Sequence, residues 1–421
     1  MISVMDANFN DVNINTDWNL CYDVEPLMHT IHAYPAKFPA FIASKAFAYA
    51  QDEGVFIEKV ADIFCGCGTV ALEAKLHGKS FWGCDINPVA TLIAKTKSKS
   101  YKCEKITEYY KNIAVAFNCI DLPVDVYSSA NERLKYWFTE KNFIDLYKLL
   151  KCIESQIPCG SKYKVAFLCI FSAILKATSR WLTKSIKPQI DPNKKEIDVF
   201  KTFSDQYKKF YSAVSQLDLY RKDYKKIDIV TSNFISITDI PKVDLIISSP
   251  PYVTSYEYAD LHQLSSLWLG YAEDYRTLRC GSIGSTYDNK KPIAYDLLND
   301  VGKEIVSNMR AKMRETSRTR SVAKYYIDMQ LAIRKCRKML NNAGMIFLVV
   351  GDTEYKGVKI RNSQHLVQTL FDEGFSDIKI TKRRISNKLL TPYRDSIGRF
   401  SSDKTQRTIY HDEFIISGRL F

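Results

Sequence analysis

The sequence lacks the patterns that mark disulfide-stapled, zinc-binding and membrane-spanning proteins. Its 11 cysteines are odd in number and form no CxxC pair, which argues against a disulfide framework or a zinc site and favours reduced thiols. The longest apolar stretch, 165–175, is interrupted by Ser172 and is too short to cross a bilayer. Residues 1–15 contain Asp6 and Asp11 and no basic segment before an apolar run, so we expect no secretory signal. We therefore expect a cytoplasmic protein with no metal site and no membrane partner.

Glycine and proline are also scarce, at 16 and 13 of 421 residues, whereas 46% of residues are hydrophobic and 25% are charged. This composition excludes fibrous and disordered chains and predicts a packed globular protein. Acidic residues are outnumbered by 60 Lys and Arg to 47 Asp and Glu, which leaves a net charge of +13. Such an excess favours a polyanionic partner, and nucleic acid is the commonest one.

The N-terminal third contains a strand, a glycine turn, a helix and a second strand in succession. The apolar run 58–64 ends in the turn 65–68 (CGCG), and helical periodicity follows up to Gly78. Residues 80–86 predict a second strand that closes with Asp85, and Pro88 occupies the first position of another helix, where its missing N–H is not needed. This order predicts an α/β fold with a doubly wound, mostly parallel sheet.

The rest of the chain divides into a helical part and further strands. Residues 101–225 show helical periodicity and predict a helical insertion, whereas residues 271–324 predict an irregular segment. Strands are expected at 227–231, 243–248 and 345–350, and a helix at 258–269. An amphipathic helix with Tyr325, Met329, Cys336 and Leu340 on its apolar face precedes the last of these strands, and 376–380 and 413–417 predict a C-terminal antiparallel hairpin at the sheet edge.

The glycine turn has the composition of a nucleotide or nucleoside site. Gly66 and Gly68 let the backbone approach a ligand at the carboxyl edge of the sheet, and Asp85 closes the next strand, where it could accept hydrogen bonds from a ribose diol. The same residues with Ala71 also satisfy the relaxed dinucleotide fingerprint, and a purely structural tight turn is the alternative.

A second candidate site follows the strand 243–248. Ser249-Pro250-Pro251-Tyr252 combines a hydroxyl, two residues without amide donors and an aromatic ring. The rigid, acceptor-rich turn suits an exocyclic amine, which has two N–H groups to donate, and the tyrosine ring could stack on a planar base. The alternative is a rigid strand-end turn with a core tyrosine.

Together these motifs resemble those of the exocyclic-amino DNA methyltransferases, which use S-adenosylmethionine and carry an FxGxG-type motif and a (D/N/S)PP(Y/F) motif. A third segment, 32–39 (HAYPAKFP), is similar to the part of some members that closes over the methionine end of the cofactor, although alone it reads as a turn before a helix. The resemblance implies a Rossmann-like methyltransferase fold and the cofactor-binding residues Tyr34, Lys37, Phe38, Asp62, Phe64, Gly66, Gly68, Thr69, Asp85, Asn233 and Phe234.

Serine in the first position of the tetrapeptide is typical of members that methylate N4 of cytosine. Hydrogen bonds from the amine to Ser249 and to the Pro250 carbonyl would favour a nitrogen that can attack a methyl group without a covalent intermediate, and the implied catalytic residues are Ser249, Pro250, Pro251 and Tyr252. A cytosine-C5 mechanism would need a cysteine nucleophile, and Cys159 lies between helical segments rather than at a sheet edge.

A base inside a duplex must be flipped out before it reaches such a pocket, so a phosphate-binding surface is expected nearby. Residues 381–410 contain eight basic side chains against two acidic ones, with Tyr393 and Phe400 among them, and a solvated charged loop is the alternative. The segment 310–320 is the second candidate for DNA contact. The predicted DNA-binding residues are Arg383, Arg384, Lys388, Arg394 and Arg399.

We therefore expect residues 1–100 and 226–421 to form a catalytic methyltransferase domain that acts on double-stranded DNA. The insertion 101–225 is a possible target-recognition region, the segment 271–324 is a possible second DNA-contact region, and a cognate restriction endonuclease is a possible partner. Adenine-N6 methylation, RNA guanine-N2 methylation and a catalytically silent nucleic-acid-binding protein are the alternatives.

Overall fold

The structure is a computed structural model that describes residues 1–3, 9, 11–19, 25, 27–35, 37–218, 225–253, 257–285, 292–385, 393–394, 403, 407–408 and 412–421. Within these ranges the strands are β1 (Ile2–Ser3), β2 (Lys59–Asp62), β3 (Ser80–Asp85), β4 (Ile227–Thr231), β5 (Val243–Ser248), β6 (Leu340–Val350), β7 (Thr353–Tyr355), β8 (Val358–Ile360), β9 (Ser376–Arg384), β10 (Tyr393–Arg394), β11 (Arg407–Thr408) and β12 (Asp412–Arg419). The α-helices are α1 (Ala40–Asp52), α2 (Thr69–Leu76), α3 (Pro88–Ser98), α4 (Cys103–Cys119), α5 (Glu132–Trp137), α6 (Glu140–Gln156), α7 (Lys162–Thr178), α8 (Val199–Asp218), α9 (Tyr258–Leu261), α10 (Gln263–Trp268), α11 (Asp300–Met313), α12 (Ser317–Met339) and α13 (Asn362–Asp372).

Eight strands form one sheet in the order β1-β9-β12-β6-β5-β2-β3-β4. The strands from β6 to β4 pair in parallel, whereas β12 runs antiparallel to both β6 and β9. This arrangement confirms the predicted Rossmann-like sheet, mostly parallel with a C-terminal antiparallel pair. The predicted edge position of β12 is wrong, because β12 lies between β6 and β9 and β1 pairs outside β9. The run Phe414–Ser417 is buried because both faces of β12 are covered: Ile415 packs in the core beneath α1 and α2, and Phe414 and Ile416 pack in the core beneath α12 and α13.

The central strands are buried on both faces. In β5, Leu245 and Ile247 pack in the core beneath α1 and α2, and Ile246 packs in the core beneath α12 and α13. The same alternation continues in β6, where Phe347 faces the first core and Leu348 the second. Two helical layers therefore cover the sheet, as parallel strands with uninterrupted apolar sequence demand.

The predicted helical part, residues 101–225, contains α4 to α8. These helices share one apolar core with α3 and α10, in which Ile93 of α3 and Leu264 of α10 pack with Phe167 and Phe203 of the insertion. Whether this part forms a separate functional unit stays a prediction. Among the described residues, we find no helix that is both long and apolar enough to cross a membrane.

The prediction of an irregular segment over 271–324 is wrong for its second half. Residues 300–313 form α11, and α12 begins at Ser317. Asn299 caps α11 by accepting a hydrogen bond from the Gly302 amide, and Ile305, Val306 and Met309 form a narrow buried stripe. Charged or polar residues occupy most other positions of α11, so its apolar periodicity is weak in the sequence.

Candidate active site

Both candidate motifs lie at the carboxyl edge of the parallel strands. The glycine turn follows β2, Asp85 ends β3, and the tetrapeptide 249–252 follows β5, which pairs directly with β2. Because β12 is antiparallel, its first residues begin at this same edge. The fold therefore brings together three chain segments that lie far apart in the sequence, at the place where open α/β sheets bind their ligands.

Gly66 and Gly68 are required in the turn for different structural reasons. Gly68 has a φ of +77°, and a Cβ there would lie 2.7 Å from Cα and Cβ of Ala94 in α3. Gly66 has a φ of +46°, and a Cβ there would lie 3.6 Å from the ring of Tyr34. Gly68 thus permits the close packing of α2 on α3, whereas Gly66 carries the backbone past the tyrosine ring.

Asp85 is held by the backbone of the turn and by the start of α3. Its carboxylate accepts hydrogen bonds from the amides of Gly66 and Asn87, both at 2.8 Å. Burial raises the pKa of Asp85 to about 6, although the two amide hydrogen bonds oppose this shift. The side chain is therefore oriented at the turn before any ligand binds, as the predicted ribose acceptor would need to be.

An aromatic layer covers the turn. The ring of Tyr34 stacks on the imidazole of His262, with ring centroids 5.0 Å apart and an interplanar angle of 25°. His262 Nδ1 lies 2.7 Å from Nδ2 of Asn87, which also caps α3. Burial lowers the pKa of His262 to about 3, so the imidazole is neutral at physiological pH. Tyr34, from the segment 32–39, is thereby fixed over Gly66.

Thr69 carries a buried hydroxyl directly after the glycine turn. Its residue is 2% exposed, and its Oγ1 has no hydrogen-bond partner among the residues that the structure describes. Thr69 is the first residue of α2, directly after Gly68. A buried hydroxyl without a partner is costly, and a polar group of a bound cofactor would satisfy it.

Asp62 connects the two motifs. Its Oδ1 accepts hydrogen bonds from Ser248 Oγ at 2.6 Å and from the Phe64 amide at 3.1 Å. Burial raises the pKa of Asp62 to about 7, and the hydrogen bonds from Ser248 and Phe64 act in the opposite direction. Ser248 immediately precedes the tetrapeptide, so Asp62 fixes the end of β5 relative to the glycine turn.

The tetrapeptide is held at both ends. Ser249 Oγ donates to the carbonyl of Val349 in β6 at 3.0 Å, so the lone pairs of this oxygen remain able to accept. The hydroxyl of Tyr252 donates to Glu413 Oε1 at 2.5 Å, and the ring passes Gly351, where a Cβ would lie 3.7 Å from Cζ. Burial, followed by the nearby Glu413 carboxylate, raises the pKa of Tyr252 well above its usual value.

Some predicted cofactor residues have other contacts. Lys37 forms an ion pair with Glu25 and donates to the His29 carbonyl at 3.1 Å. Phe38 packs against the core beneath α1. Their predicted contacts with a cofactor stay predictions.

The two predicted adenine contacts differ in exposure. Asn233 is partly exposed, and its Nδ2 donates to the Gly281 carbonyl at 3.0 Å. Phe234 is 2% exposed and packs on Trp82, with ring centroids 6.2 Å apart. The structure therefore places Asn233 at the surface after β4 and Phe234 inside the core.

The environment of Arg383 contradicts its predicted role in DNA binding. Its side chain is 4% exposed, and its Nε and Nη2 donate to Glu413 Oε2 at 2.8 and 2.5 Å. Arg383 faces Glu413 in the β9–β12 register and turns inward, whereas the neighbouring Arg384 is exposed. The side chain of Arg394 in β10, and all of Lys388 and Arg399, lie outside the described residues.

The second basic segment, 310–320, also contains ion pairs. Arg310 and Arg320 both contact the carboxylate of Glu315, at 3.0 and 2.8 Å, and their side chains are partly exposed. The guanidinium of Arg310 lies 3.8 Å from the ring centroid of Tyr295. DNA contact by this segment stays a prediction.

Two contributors to the site were missed in the sequence. His262, which lies between α9 and α10, has no sequence signal, because an isolated histidine is more often structural. Glu413 has a weak signal, since it is an acidic residue directly before the apolar run 414–416 and follows a basic segment. Only the strand register reveals its partner.

The chain is similar to type II methyltransferases. No family model matches it. The type II methyltransferase M.MvaI of Kocuria varians is 24% identical over 445 aligned positions, which cover 97% of this chain and 96% of that protein. The type II methyltransferase M.AvaI of Nostoc sp. is 22% identical over 77% of this chain and 74% of its own length. A solved SAM-dependent methyltransferase from Methanosarcina mazei is 10% identical, with a TM-score of 0.30 over 93% of this chain and 99% of that one. The fold follows from the strand order and not from this last similarity.

Proposed function

We propose that the protein is a DNA methyltransferase that transfers a methyl group from S-adenosylmethionine to N4 of a flipped-out cytosine. The observation that carries the proposal is the placement of the Ser-Pro-Pro-Tyr tetrapeptide beside the glycine turn, with Asp62 joining the two through Ser248. The similarity to M.MvaI over 97% of the chain supports the same class of activity. Double-stranded DNA is the proposed substrate, and a restriction endonuclease with the same site is the proposed biological partner.

The chain's own residues would act mainly by orienting the target amine. The Ser249 hydroxyl donates its hydrogen to the Val349 carbonyl, so its oxygen can accept a hydrogen bond from one N–H of the amine. The Pro250 carbonyl precedes a residue with no amide hydrogen and is the proposed acceptor for the second N–H. Two such hydrogen bonds would favour a nitrogen lone pair directed out of the base plane.

Gly66, Gly68, Thr69 and Asp85 would hold the cofactor, which when bound supplies a methyl group on a positively charged sulfur. The unpartnered Thr69 hydroxyl and the preoriented Asp85 carboxylate fit a ligand with polar groups. We expect Asp85→Ala to weaken cofactor binding by about 1.5–3 kcal/mol, as loss of hydrogen bonds to a charged acceptor does. Calorimetric titration with S-adenosylmethionine measures this, and equal affinities would refute the assigned pocket.

The product of the reaction tests the proposed target. Mass spectrometry of nucleosides from DNA incubated with the protein and cofactor should show N4-methylcytosine. We expect Ser249→Ala and Tyr252→Ala to lower the methylation rate steeply and to leave cofactor affinity near the wild-type value. N6-methyladenine instead would change the target base, 5-methylcytosine would overturn the mechanism, and methylation of RNA alone would remove DNA as the substrate.

A further inference from the structure

The hydroxyl of Tyr252 is the first link in a chain of three side chains. It donates to one carboxylate oxygen of Glu413, while Nε and Nη2 of Arg383 both donate to the other oxygen. Each oxygen of the carboxylate therefore has its own donor. The tyrosine ring is held at its backbone end by the preceding Pro250-Pro251 and at its hydroxyl end by Glu413.

The ion pair within this chain is almost completely buried. The Arg383 side chain is 4% exposed and the Glu413 side chain 12% exposed. Removing two charges from water is costly, and well-packed apolar residues in such places often give equal or greater stability. Stability is therefore a weak explanation for the presence of this buried ion pair. Its contact with the Tyr252 hydroxyl gives a more specific explanation, which is the orientation of the tyrosine ring.

The sheet topology explains how these residues meet. β9 runs parallel to β6, so Arg383 lies near its carboxyl end, at the same sheet edge as the tetrapeptide. β12 runs in the opposite direction, so Glu413 lies at its beginning, directly opposite Arg383. The insertion of β12 between β6 and β9 thereby directs a carboxylate toward the residue that follows the two prolines.

We propose that Glu413 and Arg383 are positioning residues that fix the Tyr252 ring for stacking on the target base. This inference rests on the proposed methyltransferase function and adds residues that do not touch the substrate themselves. Glu413 holds the hydroxyl, and Arg383 holds the Glu413 carboxylate in its orientation. Without them the ring would reach other rotamers, and a misplaced group can lower a rate by about 100-fold.

The test measures single-turnover transfer of a labelled methyl group from S-adenosylmethionine to duplex DNA, using the full chain. Counting label in DNA makes the result independent of which base is modified. We expect Glu413→Gln and Tyr252→Phe each to lower the rate about 10- to 100-fold while the Kd values for the cofactor and for DNA change little. Glu413→Gln introduced into the Tyr252→Phe protein should have no further effect, because the residue acts through the missing hydroxyl.

Two further variants separate positioning from folding. Arg383→Met combined with Glu413→Gln removes both charges, so no unpaired buried charge remains, and the unfolding temperature should be close to wild type while the rate still falls. Glu53→Gln breaks the ion pair of Glu53 with Lys379, which is also on β9 but has no contact with Tyr252, and should leave the rate within about twofold of wild type.

The outcomes distinguish the inference from the function on which it rests. If wild-type protein transfers no label to DNA, the proposed function fails. If wild type is active and Glu413→Gln leaves the rate unchanged, the positioning role is refuted. An equal rate loss from Glu413→Gln in the wild-type protein and in the Tyr252→Phe protein would also refute it, because the effect would then not pass through the hydroxyl.

Discussion

Arg383 and Arg384 are neighbours in the sequence and have opposite environments. Successive side chains of a strand point to opposite sides, so one faces the buried carboxylate of Glu413 and the other faces solvent. A run of basic residues in the sequence therefore contains groups with different roles. Composition predicts the charge of the run. Only the position of each residue in the sheet shows which arginine is buried and which is exposed.

This division predicts how each arginine affects DNA binding. Arg384→Ala should weaken binding to any DNA sequence and flatten the plot of log K against log salt by about 0.9 if one phosphate contact is lost. Replacing the buried pair by Arg383→Met with Glu413→Gln should leave the slope unchanged. Binding titrations at several salt concentrations measure both, and a reduced slope for the buried-pair variant alone would reverse the assignment.

The buried carboxyl of Asp62 predicts a pH dependence of stability. Burial raises its pKa to about 7 in the folded protein, above the 3.8 of an ordinary aspartate. The folded state thus binds the proton more tightly, so this group's stabilising contribution is complete below about pH 4 and is lost as pH rises through about 7.

Asp62→Asn removes this titration and keeps an oxygen that can accept from Ser248. We expect the unfolding free energy of the variant to rise relative to wild type between about pH 4 and pH 8, by up to about 4 kcal/mol. Urea unfolding at a series of pH values measures the difference. A difference that stays constant with pH would show that Asp62 titrates normally in the folded protein.

At the scale of single elements, periodicity and turn residues in the sequence predicted most of the central strands of the sheet. β2, β3, β4 and β5 agree closely with their predicted ranges, because buried parallel strands are short apolar runs between clear turns. The two motifs also lie at the sheet edge as expected. The helix α11 was missed because only a narrow stripe of it is buried, and β12 was misplaced because strand order is not a local property.

The glycines around α2 allow a matched comparison. Gly68 and Gly78 both have positive φ, but a Cβ on Gly68 would clash with Ala94 at 2.7 Å, whereas a Cβ on Gly78 would meet nothing within 4 Å. Gly78→Ala should cost about 1 kcal/mol of stability from backbone strain alone, and Gly68→Ala about 3 kcal/mol or more because α2 and α3 must separate. Urea unfolding of the two variants tests this, and equal losses would contradict the packing argument.

At the scale of the whole molecule, the helices of residues 101–225 are joined to the sheet layers by shared packing. Gln263 of α10 is fully buried and accepts hydrogen bonds from Trp137 and Arg133 of α5, both at 2.8 Å. Helix α3 contributes to the same core while it packs on the sheet strands. The helices of residues 101–225 therefore share a hydrophobic core with helices of the sheet layers.

We expect the molecule to unfold as one cooperative unit. The chain has five tryptophans, of which Trp137, Trp181 and Trp268 lie in the core of the insertion helices and Trp18 in the core beneath α1. Tryptophan fluorescence and far-ultraviolet circular dichroism should therefore give coincident unfolding transitions. Two separated transitions would show that the insertion helices unfold independently.

The position of β12 also constrains the order in which a newly made chain can fold. β6 and β9 leave the ribosome before β12, and the sheet cannot join them until β12 arrives between them. During that interval both strands have an unpaired edge, which is the kind of surface that recruits other chains. Glu413 arrives with β12, so the nascent protein has its glycine turn and its tetrapeptide early, but Tyr252 gains its carboxylate partner only when the last strand of the sheet is synthesised.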